Sequence, residues 1–144
     1  MTDGFVDTDV IIRLLTQDDL KKQEEAATLF QAVRAGRLTV RAPDTVIADA
    51  VYVLSSPRLY NLPRSEVQEL LSPLVRLTGF KVQNRAAVLR ALELYAGTGV
   101  DFGDALIVAT MEQAGSRIIY SYDTHFDRIP TVSRRSPEEL PTEE

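Results

Sequence analysis

The sequence contains no cysteine and only one histidine, His125. Without cysteine the chain cannot form a disulfide, a zinc–thiolate site or a cysteine nucleophile. A single histidine also excludes a metal site built from several imidazoles. A metal ion bound by this chain would therefore be held mainly by oxygen atoms.

Long apolar runs are missing as well. No segment approaches the roughly 18 apolar residues that a membrane span requires. Residues 1–5, Met-Thr-Asp-Gly-Phe, show no basic stretch followed by an apolar run, so we expect no signal peptide. We therefore expect a cytoplasmic protein that makes no contact with a membrane.

Positive charge is in short supply, since 16 lysines and arginines face 21 acidic residues for a net charge of −5. A negatively charged protein binds nucleic acid through a local basic patch or through bound cations. Clustered carboxylates could hold such cations, and without histidine or cysteine they suit hard ions such as Mg²⁺ or Mn²⁺.

Short apolar segments alternate with helical patterns along the 144 residues. The pattern predicts strands at 4–6, 38–40, 80–82, 117–122 and 131–133. It predicts helices at 8–15, 18–35, 46–54, 63–79, 84–97 and 101–115, with Asp44 or Thr45, Asn84 and Asp101 as capping residues.

This alternation predicts an α/β fold, namely a three-layer α/β/α sandwich with a central parallel sheet. The length fits a single domain over residues 1–135, followed by an acidic, proline-containing tail at 136–144 that we expect to be flexible. Ligands of such sheets bind beyond the carboxyl ends of the strands, where Asp7 and Asp123 are predicted to lie.

Asp49 lies in the segment 46–54, in which every other residue is apolar or aromatic. Such a helix is predicted to be largely buried, and an ionised carboxylate there is costly unless a cation or hydrogen-bond donors accompany it. The alternatives are a bond to backbone N–H groups near the helix start or a pair with an arginine. We favour a catalytic or metal-binding role.

The other candidate acids each have a structural alternative. Asp7 could cap the first helix, and Asp9 could do the same or act as a second ligand. Asp101 and Asp104 lie three residues apart at a helix start, so they face the same way but also resemble a capping box. Asp123 could form an Asx-turn, and His125 is interpreted as a turn residue.

Five segments together resemble the PIN-domain nucleases, particularly the VapC-type toxins of prokaryotic toxin–antitoxin pairs. The resemblance covers about residues 5–132, and each segment is short, but their order and spacing are specific. They are Phe5-Val6-Asp7-Thr8-Asp9-Val10-Ile11-Ile12, Val46-Ile47-Ala48-Asp49-Ala50-Val51-Tyr52-Val53-Leu54, Leu92-Glu93-Leu94-Tyr95, Asp101-Phe102-Gly103-Asp104-Ala105-Leu106-Ile107-Val108-Ala109 and Tyr120-Ser121-Tyr122-Asp123-Thr124-His125-Phe126.

The resemblance implies a metal-dependent endoribonuclease with an acidic quartet. Mapped onto this sequence, the quartet and its accessory acid, which would bind one or two Mg²⁺ or Mn²⁺ ions, are Asp7, Asp49, Asp104, Asp123 and, as accessory, Asp101. A metal-activated water would attack the phosphorus of RNA, and a metal would stabilise the leaving oxygen. Ser121 occupies a position where the family often has a small polar residue.

Two residues depart from the family pattern. The second acid of the family is usually glutamate, whereas Asp49 is one methylene shorter, and the family often has asparagine or serine where this chain has Asp9. Asp9 could restore the charge or reach that Asp49 loses.

By the same resemblance, the partners would be RNA, a cognate antitoxin protein and a second copy of the chain in a homodimer. Basic residues considered for contacts with RNA phosphates are Arg13, Lys21, Lys22, Arg85 and Arg117.

Two alternatives remain open from the sequence. With aspartate in place of glutamate at position 49, the domain could be a catalytically weak or inactive binding module. The segment Asp7-Thr8-Asp9-Val10-Ile11 also resembles the first motif of haloacid-dehalogenase-type phosphatases. Those enzymes need a lysine from a later strand–helix region, and none of Lys21, Lys22 and Lys81 lies in such a context.

Overall fold

The computed structural model describes residues 3–140. The expected tail at 136–144 therefore falls partly outside the described residues. Its described part contains a turn in which the backbone N–H of Glu139 donates to the carbonyl of Ser136 at 2.8 Å.

Six α-helices and one short 3₁₀ helix make up most of the described chain. The α-helices are α1 (Thr8–Leu15), α2 (Leu20–Arg34), α3 (Asp44–Ser55), α4 (Arg64–Val75), α5 (Arg85–Thr98) and α6 (Phe102–Ala114). The 3₁₀ helix covers Thr124–Arg128. Within residues 3–140, no helix is both long and apolar enough to cross a bilayer.

Five short strands pair only in parallel. They are β1 (Gly4–Phe5), β2 (Val40–Ala42), β3 (Phe80–Val82), β4 (Ile118–Tyr120) and β5 (Ser133–Arg135). The first three form one ladder in the order β1-β2-β3, and the last two form a second ladder. Each parallel connection needs a crossover, which the helices provide, so the predicted α/β sandwich with a parallel sheet is confirmed.

Some strands and helices begin or end at residues other than those predicted. β2 begins at Val40 rather than at Leu38, because its partner β1 begins opposite Val40 at Gly4. β5 lies at Ser133–Arg135, two residues after the predicted position, since Ser133 is the residue that pairs with Ile118. α4 ends at Val75 instead of near Gly79, and turns lead from there into β3.

Three predicted side-chain caps are absent, although Asn84 and Asp101 do occupy the N-cap positions of α5 and α6. Asn84 adopts a left-handed conformation with φ 58°, and its amide nitrogen donates to Asp44 at 3.0 Å instead of capping α5. Asp101 precedes α6 but makes no side-chain cap hydrogen bond. At α3 the N-cap position belongs to Pro43, and Asp44 is already the first helical residue.

One continuous hydrophobic core joins the helices to the sheet. Phe80 of β3 is fully buried, and its ring meets that of Phe30 in α2 edge to face at 5.5 Å between centroids. Alternate residues of β2 and β3 enter this core, as expected for strands that are packed on one face. The core holds α1, α3, α5 and α6 in the positions that determine the site described next.

Candidate active site

Asp7 follows the buried Val6 at the end of β1 and is the N-cap residue of α1. Its carboxylate accepts a hydrogen bond from the backbone N–H of Val10 at 3.2 Å. The next residue, Thr8, donates its hydroxyl to the carbonyl of Val46 at 3.5 Å, which joins the start of α1 to the start of α3. Asp7 thus has a capping role and also lies at the sheet edge where a site was predicted.

Asp104, in the first turn of α6, feels the charges of two other candidate acids. Burial raises the pKa of Asp104 above its usual value, and the charges of Asp123 and then Asp101 raise it further, while His125 acts in the opposite direction. A like-charge effect of this kind requires the carboxylates to lie close to one another in a partly desolvated place. Asp104 is therefore coupled electrostatically to Asp123 and to Asp101.

A tight turn after β4 orients Asp123. One carboxylate oxygen accepts from the backbone N–H of His125 at 2.8 Å and lies 3.2 Å from the imidazole Nδ1 of the same residue. The backbone N–H of Asp123 in turn donates to the hydroxyl of Ser121 at 2.9 Å. The Asx-turn and the turn role of His125 are confirmed, and Ser121 supports the backbone at the acid.

Asp101 belongs to a loop that two arginines contact. Arg64 donates through Nη1 to the carbonyls of Tyr95 at 3.0 Å and Val100 at 2.7 Å, and its Nη2 lies 3.7 Å from Asp101. Arg128 donates to the carbonyl of Gly99 at 3.1 Å. The loop 99–101 leads directly into α6, so these contacts position the helix that carries Asp104.

The interpretation of Asp49 as a buried carboxylate is wrong. Asp49 is exposed on the outer face of α3, as is Tyr52 three residues later, which is 72% exposed. The buried stripe of this helix is instead Val46, Ile47, Ala50, Val51 and Leu54. An exposed carboxylate needs no buried partner, so the desolvation argument for Asp49 no longer applies.

Asp49 lies on α3 close to residues that line a groove. Residues three apart lie on the same side of a helix, so Asp49 shares a side with Tyr52. Tyr52 and the neighbouring Ala48 line a groove of about 580 Å³ together with Asp101 and Gly103 at the start of α6. The groove thus runs from the Tyr52 side of α3 to Asp101, and neither Asp49 nor Asp104 lines it.

Asp9 has a partner of its own. Its carboxylate lies 3.3 Å from Nε of Arg13, one turn later in α1, and is largely exposed. This i,i+4 ion pair accounts for Asp9 without any ligand.

Within residues 3–140, no three Asp, Glu or His side chains are arranged closely enough to enclose a metal ion. Mg²⁺ does not need such a cage, because it retains several waters and is commonly bound by one or two carboxylates and the phosphates of a substrate. The carboxylate oxygens of Asp104 and Asp123 fit a hard divalent cation, and so do the burial and the neighbouring negative charges that raise the pKa of Asp104.

The basic residues singled out from the sequence are mostly engaged elsewhere. Arg13 pairs with Asp9 and Asp18. Arg85 donates to the carbonyls of Leu77 and Phe80, and Arg117 donates to that of Thr131. Sequence reasoning missed Arg64 and Arg128, since their acceptors are backbone carbonyls distant in the sequence.

Residues 4–132 match the PIN domain family. This match covers most of the 144 residues, and the chain belongs to the PIN domain family. A search of curated proteins finds no match to the chain. The family assignment removes the support for a haloacid-dehalogenase-type phosphatase.

PIN domains are generally metal-dependent nucleases that use divalent cations such as Mg²⁺ or Mn²⁺, and PIN-domain nucleases bind RNA. In this chain Asp101 and Asp104 lie at the start of α6, and Asp123 follows β4.

Proposed function

We propose that this protein is a metal-dependent endoribonuclease, the toxin component of a VapBC-type toxin–antitoxin pair. Membership of the PIN family supports a nuclease. The observation that carries the proposal is the electrostatic coupling of Asp104 to Asp101 and Asp123. Repelling carboxylates at a strand end and a helix start favour the binding of a cation.

The proposed site consists of Asp7, Asp49, Asp104 and Asp123, with Asp101 as an accessory acid. Asp104 and Asp123 would hold the metal, and Asp7 would approach it from the end of β1. Asp49 would act from the exposed side of α3 that it shares with Tyr52. Ser121 would keep Asp123 oriented through its bond to the backbone, and Asp9 has a lesser, accessory role.

A bound divalent cation would lower the pKa of a coordinated water and neutralise charge on the phosphate. The chain itself supplies the negative charges and their positions. The Asx-turn holds the Asp123 carboxylate in one orientation, and the Arg64 and Arg128 contacts hold the loop before α6. In hydrolysis, the oxygen of water forms a bond to phosphorus, the bond from phosphorus to the leaving oxygen breaks, and that oxygen gains a proton.

Cleavage of RNA by the purified chain tests the activity. We expect products with Mg²⁺ or Mn²⁺ and none after chelation with EDTA. Asp104→Asn should lower the rate by at least about 100-fold, because the charge that stabilises the reacting phosphate through the metal is lost. Glu69→Gln, an exposed carboxylate on α4, is the matched control and should cleave at the wild-type rate. Equal cleavage by Asp104→Asn would contradict the proposed site.

The toxin role has its own test in cells. Expression of the wild-type chain should arrest growth, and expression of Asp7→Ala should not. Where a neighbouring gene encodes a small protein, its co-expression should restore growth. Growth arrest by an equally abundant Asp7→Ala protein would contradict a role of Asp7 in the toxicity.

We also expect a homodimer, which sedimentation of the purified chain would detect.

A catalytically inactive RNA-binding module is the second candidate. The exposed position of Asp49 favours it, as does the absence, within residues 3–140, of three acidic or histidine side chains placed to hold one metal ion. Under this alternative the wild-type chain binds RNA in the presence of Mg²⁺ or Mn²⁺ but leaves it intact. The cleavage assay therefore distinguishes the two candidates directly.

A further inference from the structure

Three exposed residues form a row across the first ladder. The register places Phe5 of β1 beside Arg41 of β2, and Arg41 beside Lys81 of β3. We call Phe5, Arg41 and Lys81 the sheet row. Adjacent strands lie about 5 Å apart, so the row is about 10 Å long.

Alternation along the strands places the sheet row on the side opposite to the core. The neighbours of Arg41 and Lys81 in their strands, Val40, Ala42, Phe80 and Val82, are buried. Phe5 is 70% exposed, while Val6 after it is buried. Two strands thus carry the sequence apolar-basic-apolar with only the basic residue facing outward.

The sheet row lines a groove. Its volume is about 530 Å³, and Ala42, Pro43, Val82 and Gln83 line it together with the three row residues. This volume lies within the range of roughly 300–1,000 Å³ that small-ligand sites occupy. The groove lies at the carboxyl ends of β2 and β3, and Phe5 is two residues before Asp7.

The charges of the sheet row fit an anionic ligand. Two basic side chains lie next to each other in a protein of net charge −5. Arg41 uses Nε to donate to Asp3 at 2.9 Å, but its guanidinium has four further N–H donors. That ion pair is partly exposed and contributes at most about 1 kcal/mol, so a phosphate can compete with it.

An exposed aromatic ring beside two cations suits unpaired nucleotides. Single-stranded RNA is bound by stacking of bases on aromatic side chains and by pairing of phosphates with lysine and arginine. Base-paired RNA hides the faces of its bases and would leave Phe5 without a partner. We propose that the sheet row binds unpaired nucleotides of the RNA substrate, with a base on Phe5 and phosphates on Arg41 and Lys81. The proposal rests on the proposed nuclease function, for which it names a binding surface separate from the acids.

A tryptophan at position 5 gives a direct reading of stacking, because the natural chain contains no tryptophan. The test protein is the full chain with Phe5→Trp and Asp104→Asn, so that RNA is not cut when Mg²⁺ is present. We expect a single-stranded oligoadenylate to quench the fluorescence, and an RNA duplex of equal length to quench it weakly. Leu20→Trp in the same background is the control, since Leu20 is 69% exposed beside two lysines at the start of α2.

The contribution of each row residue is measured by substituting it in the Asp104→Asn background. The quantity compared is the affinity of each variant for the same oligoadenylate. Phe5→Ala should weaken binding by roughly 5- to 150-fold, the range for loss of one stacked base. Arg41→Gln and Lys81→Gln should each lower the slope of log affinity against log salt by about 0.7. Arg76→Gln, an exposed arginine after α4, should leave the slope unchanged.

Three results would overturn the sheet row as the site. They are equal quenching of the tryptophan at position 20, equal binding of duplex and single strand, and quenching that depends on protein concentration without RNA, which would mean that a second copy covers the row. Failure of the nuclease proposal looks different. In that case Asp104→Asn and wild type treat RNA alike, while quenching and the salt slopes still report on the row.

Discussion

At the scale of single residues, the acids of the candidate site have structural and chemical roles at once. Asp7 caps α1, and Asp123 closes an Asx-turn. Both hydrogen bonds are local, so the sequence alone could indicate them. The local role does not exclude a ligand, because a carboxylate has about four lone-pair sites and a cap bond uses one.

Substitutions at Asp7 separate its two roles. Asp7→Ala should lose about 1 kcal/mol of folding free energy together with the cap, whereas Asp7→Asn should retain the cap. Both should lose RNA cleavage. Asp19, which caps α2 through a bond from Lys22 N–H at 3.1 Å, is the matched control: Asp19→Ala should lose similar stability and keep cleavage. Thermal unfolding and the cleavage assay measure the two effects, and an active Asp7→Asn would restrict Asp7 to capping.

The raised pKa of Asp104 predicts a pH-dependent effect on stability. Since folding raises the pKa above the usual 3.8, ionisation of this carboxylate disfavours the folded state. The penalty is absent below pH 3.8 and appears as pH rises through the folded-state pKa. In EDTA, Asp104→Asn should therefore have a higher Tm than wild type at pH 7, and the difference should vanish near pH 3. A difference that is independent of pH would contradict the coupling.

At the scale of elements, the loop between α5 and α6 links the fold to the site. Arg64 at the start of α4 lies over the ring of Tyr95, with its guanidinium carbon 4.3 Å from the centroid, and also bonds the loop carbonyls. Arg128 of the 3₁₀ helix bonds the same loop from the side of Asp123. The loop therefore fixes the distance between two elements that carry candidate acids.

Substitution of Arg64 should show how much its contacts with the loop contribute to the unfolding free energy. Arg64→Ala leaves the carbonyls of Tyr95 and Val100 without their donor and should cost about 2–4 kcal/mol of unfolding free energy. Arg64→Lys should be intermediate, because an ammonium lacks the planar fork. Arg76→Ala, on the surface after α4, should change stability by less than about 0.5 kcal/mol. Denaturant unfolding gives these values, and equal stability of Arg64→Ala and wild type would show that the contacts contribute nothing.

Elements with strong local signals could be predicted closely from the sequence. The predicted bounds of α1 and of β3 agree with the structure. The capping Asp7 marks the start of α1, and Gly79 precedes β3. The strands β2 and β5 were displaced by two residues, because the start of a ladder depends on a partner far away in the sequence.

At the scale of the whole molecule, one core supports both ladders and the helices around them. Its largest fully buried side chain is that of Phe80, which packs on Phe30 from α2. The elements all pack on this core, so we expect them to unfold together. A substitution at the centre of the core should therefore destabilise every element at once.

Phe80→Ala should lower the unfolding free energy by roughly 3–5 kcal/mol, as the loss of a buried phenylalanine usually does. Unfolding should remain a single transition, seen at the same temperature by circular dichroism and by tyrosine fluorescence. Phe5→Ala is the matched control, because this ring is exposed and its loss should change stability by less than about 0.5 kcal/mol. Separate transitions in Phe80→Ala would indicate two independently folding units.

The sequence by itself determined the class of the fold and the family. Periodicity and turn residues are local, and a chain with no cysteine and one histidine has few metal ligands other than oxygen wherever it folds. It also pointed to Asp7, Asp104 and Asp123, whose positions next to helix starts and strand ends are local features as well.

Only the tertiary structure decided which side of each element meets solvent. α3 looked uniformly apolar, yet its packing turns Asp49 and Tyr52 outward, because a helix covered on one side has an outer face whatever its composition. The same holds for the sheet row: Arg41 and Lys81 become neighbours only through the register of strands about 40 residues apart. The packing of the whole core sets which residues pair, so a local sequence pattern cannot predict these pairs.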